Sequence, residues 1–119
     1  MSQNFQAGDF LIFQIESAYG LLRILAIDET AEDKVWHLAA YNEMFLDIEM
    51  ADAALENSIS LTINYPHLAL TNRAFESTQV ARMKNEPLTE NALKFYEDWK
   101  TSENRQVSDL SVRLLLGLR

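Results

Sequence analysis

Two apolar runs open the chain, FLIFQIE over 10–16 and LLRILAI over 21–27, and both are almost unbroken. Each has a strand's length and is rich in Phe, Ile and Leu. The stretch SAYG, 17–20, lies between them, and its Ser and Gly are turn residues. The pattern predicts an antiparallel hairpin over 10–27 with Tyr19 and Gly20 in a four-residue turn, entered through a turn at Gly8-Asp9. VWHLAAY, 35–41, reads as a third strand after the polar loop DETAEDK.

Further on the period changes. Met44, Ile48, Ala51 and Leu55 recur at helical spacing with acids between them, which predicts a helix over 43–57. SISLTIN, 58–64, alternates apolar and polar residues and reads as a half-buried strand that Pro66 then limits. Residues 66–76 read either as a short helix or as an extended edge. TQVARMK, 78–84, suits a last strand. A helix follows over 87–100, with Thr89 as N-cap, Glu90 and Lys94 four apart, and an apolar stripe of Ala92, Leu93, Tyr96 and Trp99. In 108–119 the leucines alternate like a strand, but Leu and Arg favour helix and Ser108 is a potential cap, so helix is preferred. These elements make an α+β domain spanning 1–119, a small curved antiparallel sheet with packed helices, its C-terminal part mainly helical.

Composition narrows the classes. The 119 residues suit one domain, and 48% hydrophobic content supplies a core without cross-links. No cysteine is present, so disulfides, thiolate zinc sites and thiol nucleophiles are excluded, which fits a cytoplasmic protein. The opening residues lack the basic and apolar regions of a signal peptide, and no apolar run approaches the ~20 residues of a membrane span. A net charge of −8 argues against nucleic acid and anionic membranes as partners.

That charge is unevenly placed. Asp28, Glu29, Glu32, Asp33, Glu43, Asp47, Glu49, Asp52 and Glu56 face a single base, Lys34, between residues 28 and 56, while acids and bases balance elsewhere. Such a segment either keeps the protein soluble or forms a docking face for a basic protein. Calcium is disfavoured because no D-x-D-x-D-G loop is present.

Catalytic motifs are scarce: there is no Walker loop, GxGxxG, GxSxG or HExxH. His37 and His67 are the histidines, each readable as a general base or ligand or as a residue hydrogen-bonded in place. Together with Arg73 and nearby acids they are the candidates for a small enzymatic or ligand-binding site. Their spacing demands no metal, and no cofactor is implied. Trp36, Tyr41 and Phe45, or Tyr96 and Trp99, line a pocket or fill the core. Tyr19, read as a turn residue, either packs back on the sheet or is presented to a partner.

Residues 8–28 carry a pattern: Gly8-Asp9 before an apolar strand, Tyr19-Gly20 in a short turn, and Arg23 on the next strand. In this the chain resembles the SH3-like-barrel immunity proteins of bacterial polymorphic-toxin systems. The resemblance spans about twenty residues and does not extend past Trp36. It implies an SH3-like barrel and a small cytoplasmic protein that binds and blocks a toxin, with no catalytic residues. The expectation is therefore a non-enzymatic module that docks a basic protein through Tyr19 and the acidic segment. The alternatives are the His37/His67 domain and a homo-oligomeric structural subunit.

Overall fold

Apolar side chains at consecutive strand positions point to opposite faces, so the runs at 10–13 and 21–25 demand a sheet covered on both sides. The computed structural model describes residues 5–31 and 33–116 and contains such a sheet. Strands β1 (Asp9–Ile15), β2 (Ala18–Glu29), β3 (Lys34–Phe45) and β4 (Ile63–Thr71) form an antiparallel meander. Strand β5 (Val80–Asn85) crosses over to pair antiparallel with β1, giving the order β4-β3-β2-β1-β5. The helices are α1 (Ile48–Leu55), α2 (Asn72–Glu76), α3 (Glu90–Thr101) and α4 (Val112–Leu115). The α+β class is as expected. The sheet is open, with β4 and β5 as its two edges, so the barrel closure is not formed. No helix among the described residues is long and apolar enough to cross a membrane.

On one face Leu11, Phe13, Leu22, Ile24, Trp36 and Leu38 meet Phe75 of α2 and Val112 of α4. Trp36 stacks on Phe75 with ring centroids 3.9 Å apart, and its indole N–H donates to Asn72 Oδ1 at 2.9 Å. The other face carries two clusters. Phe10, Ile12, Leu21 and Tyr41 pack against Ala51 and Leu55 of α1. Leu25 and Ala39 pack against Tyr96, Leu93 and Trp99 of α3.

The hairpin is tighter than expected. Its connection is Glu16-Ser17, with Glu16 at φ 51°, and β2 already begins at Ala18. Tyr19 and Gly20 are therefore strand residues, paired with Gln14 and Phe13. The strands take them because Gly20 lets the Phe13 ring lie against the backbone: a Cβ there would stand 2.9 Å from it. Tyr19 is half-buried beside the Phe10–Tyr41 cluster.

The Gly8-Asp9 entry ties three elements together. Gly8 sits at φ 93°, donates to Ile24 O at 2.7 Å and accepts from Glu86 N at 3.1 Å. Asp9 is buried and accepts from Gln6 N at 2.8 Å, Asn85 Nδ2 at 2.8 Å and Arg82 Nε at 3.0 Å. Arg23 lies over the Phe10 ring and donates to the carbonyls of Glu86 and Pro87 at 2.9 and 3.0 Å, fastening the segment that leads into α3.

Four expectations need correction. The helix predicted over 43–57 occupies only Ile48–Leu55, because Asn42 and Glu43 hydrogen-bond across to Thr62 and hold β3 extended to Phe45. Asp47 then starts the helix by accepting from Met50 N at 2.8 Å, a cap worth about 1 kcal/mol. The strand predicted over 58–64 is a 3-10 turn at Ser58–Ser60, stabilised by Ser60 Oγ donating to Asn57 O, with strand only from Ile63. Pro66 does not end that strand; it lies within the edge strand β4 where the register slips between Leu38↔Leu68 and Ala40↔Tyr65, so its missing N–H costs no ladder bond. Ser108 caps nothing; it bridges to Leu70, and Ser111 caps α4 instead.

The ambiguous 66–76 stretch is extended to Thr71 and then helical. Helix α3 begins at its Thr89 cap as expected, with Thr89 Oγ1 accepting from Ala92 N. Residues 117–119 of the predicted C-terminal helix lie outside the described residues.

Candidate functional site

Strand register brings together three polar residues that are far apart in sequence. His37 of β3 pairs with Ala26 of β2 and with Ala69 of β4. Side chains two residues away share a face, so Asp28 and His67 flank His37 diagonally. His37 is fully buried, donates through Nε2 to Asp28 Oδ2 at 2.9 Å, and has Nδ1 2.9 Å from His67 Nε2. Tyr96 of α3 donates its hydroxyl to Asp28 Oδ1 at 2.8 Å. The rings of Tyr96 and Trp99 lie over His37 at centroid distances of 4.5 and 4.6 Å. Trp99 Nε1 donates to Gln106 O, fixing the chain just after α3.

The donors and acceptors fit one arrangement. Asp28 accepts twice, so His37 carries its proton on Nε2 and offers Nδ1 as an acceptor to the Nε2–H of His67. Among the described residues nothing bonds to Nδ1 of His67. Burial pushes the His37 pKa down, against the opposing pull of Asp28. Burial and the neighbouring His37 push His67 down to about 4. Burial, then the Asp28 carboxylate, push the Tyr96 hydroxyl up to about 12, so it stays a donor. Both histidines are neutral at pH 7.

The acidic residues do not form one face. Asp28 is spent in the polar chain. Glu29 and Asp33 sit at the β2–β3 turn, lining with Lys34 and Asn72 an open cleft of about 270 Å³. Glu32 lies outside the described residues. Glu43, Asp47, Glu49 and Asp52 belong to the other end of β3 and the α1 segment that follows it, and β3 is twelve residues long. Glu43 accepts from the backbone N–H and hydroxyl of Thr62 at 2.9 and 2.7 Å, and Asp47 is the α1 cap. Tyr19 belongs to this second end through its pairing with Phe45. Arg73 is not near the histidines; it is ion-paired with Asp109.

The α1 end has a further property that charge counting missed. Leu46 is 75% exposed, Ile59 92%, and Ile48 and Met50 each 49%. Glu49, Asp52 and Glu56 project within an arc of about 60° of the α1 surface, at 100° per residue. The signal was present in the sequence as apolar residues at positions 46, 48 and 50 that no single helical stripe accommodates. Tyr96 was also missed as a polar partner, having been read as part of the apolar stripe; its hydroxyl in such a stripe is the sign that a buried acceptor awaits it. Among the described residues no group of three or more His, Asp or Glu side chains converges to hold a metal ion. Compared with known protein families, curated proteins and solved structures, the chain matches none of them.

Proposed function

We propose that this protein is a non-enzymatic binding module that docks a basic protein through the α1 end of its sheet. The observation that carries the reading is the set of exposed apolar residues Leu46, Ile48, Met50 and Ile59 beside the acids Glu49, Asp52 and Glu56. On α1 the acids project between Ile48 and Met50, so apolar and anionic groups share one exposed side, and Met adapts its shape to a partner. The acids select a cationic partner and speed its approach, while the apolar groups hold it. A second copy is a poor occupant, because each chain carries a net charge of −8. The form implied by the resemblance of residues 8–28 is a cytoplasmic bacterial immunity protein that neutralises a toxin by occlusion. The enzymatic alternative has less support: the ring nitrogens of His37 are occupied by Asp28 and His67, and Arg73 is elsewhere.

The test is affinity capture from the native host with the full chain and with an Ile48→Ala/Met50→Ala variant. The proposal expects a basic protein whose dissociation from the variant is at least about tenfold faster, as for loss of a hot spot. A partner retained equally by both, or capture of the chain's own copies alone, contradicts it.

A further inference from the structure

We propose that the Asp28–His37–His67–Tyr96 chain is a latch that releases α3 from the sheet in acid, holding one added proton and failing at the second. Helix α3 touches the sheet only through side chains. Of its residues only Tyr96 is buried, while Phe95 is 49% exposed. Its attachment is the Tyr96–Asp28 hydrogen bond, the Tyr96 and Trp99 rings over the imidazoles, and the contacts of Leu93 near Leu25 and Ala39. Elements held by few buried contacts open first.

The ionisable groups at the latch come from every element around it. Strand β2 contributes Asp28, β3 His37 and β4 His67. Helix α3 contributes Tyr96, with Glu97 nearby and the Lys100 ammonium 5.7 Å from the Tyr96 ring centroid. A first proton taken up by the pair breaks nothing, since one N–H still lies between His37 Nδ1 and His67 Nε2 and the two rings can share it. A second proton leaves an N–H on both His37 Nδ1 and His67 Nε2, 2.9 Å apart. The hydrogen bond is replaced by two N–H groups on two like charges, with His37 sealed from water. The imidazoles must then part. Strands β2 and β3 are held by ladders on both sides, and β4 by β3 and the Ser108 bridge. The element free to yield is α3. Burial lowers the proton affinity of both rings, which sets the event on the acid side of ordinary histidine titration.

The experiment is amide hydrogen exchange on the full chain from pH 7 to pH 4, corrected for intrinsic rates, comparing α3 with β1 and β2. The expected result is an α3 opening equilibrium that rises at least about tenfold while the strands keep their protection; one pKa unit between closed and open states is worth that factor. In His67→Gln, which keeps a donor near the Nε2 position and takes up no proton, the rise disappears. Loss of α3 and strand protection together, or an α3 rise that persists in His67→Gln, overturns the latch. If His67→Gln does not fold, imidazole ¹⁵N shifts of the unmodified protein decide. The second imidazole protonation coinciding with α3 opening supports the latch, and the two occurring at separate pH overturns it.

Discussion

Gly8→Ala is expected to lower the unfolding free energy by about 3–5 kcal/mol, among the largest single-residue effects in this protein. Gly8 holds φ 93°, a conformation that L side chains rarely adopt. A Cβ there would also stand 2.5 Å from the Glu86 carbonyl oxygen, which is backbone and has no easy way to retreat. The displacement would break the Glu86 N–H bond to Gly8 O and disturb the buried Asp9 carboxylate with its Arg82 and Asn85 partners. A buried carboxylate that loses its donors is itself costly. Urea unfolding at neutral pH measures the loss, and the melting temperature should fall by roughly 10 °C or more. A loss below about 1 kcal/mol would show that the β1 entry and the Glu86 segment move apart freely.

Stability should fall as the solution is acidified from pH 7 to pH 4, and His67 is expected to contribute roughly 2 kcal/mol of that fall, less than its full shift implies because the ring is only half-buried. The folded state holds His67 down to about 4 against an ordinary value of 6.5. Between those values the unfolded chain binds more protons than the folded one, so stability rises with pH across the window. The contribution is fully present above pH 6.5 and is lost as the pH falls through about 4. His37 is also lowered, chiefly by burial, and adds a slope of the same sign. Carboxylates titrate in the same range, so the measurement is a comparison. Urea midpoints of the unmodified protein and His67→Gln, taken at several pH values, should converge as the pH falls. Parallel curves would mean that His67 keeps its ordinary proton affinity in the fold.

The sheet was readable because its runs are long and its turns are short. The apolar stretches 10–13 and 21–25, the second interrupted only by Arg23, could be satisfied only by a sheet covered on both faces, and α1, α2, α3 and α4 supply that cover. Helix α3 was readable from Thr89 and its stripe for the same local reasons. What misled was periodicity without its tertiary partner. Ile59, Leu61 and Ile63 alternate as a strand does, yet Asn57, Ser58 and Ser60 satisfy their own backbone locally and leave Ile59 in solvent. Met44 fits a helical stripe, yet cross-strand bonds from Asn42 and Glu43 to Thr62 keep that segment extended. The polar chain was half legible: His37 and His67 stood out singly, but their meeting depends on the register of β4, which the slip near Pro66 sets. In the sequence Asp28 groups with the other acids, because nothing in its neighbours separates a strand-end carboxylate engaged by His37 and Tyr96 from one that only faces water.

The docking account is tested most directly by the association rate of the captured partner as a function of salt, for the unmodified protein and for Glu49→Lys/Asp52→Lys. These positions are chosen because both are exposed on α1 and neither caps it, whereas Asp47 does. The account predicts an association rate that falls about tenfold as ionic strength rises from low values to 0.15 M, where the Debye length is about 8 Å. It predicts a slower, salt-insensitive association for the double variant, with thermal stability unchanged or slightly raised. Association that ignores both salt and the two reversals would contradict it.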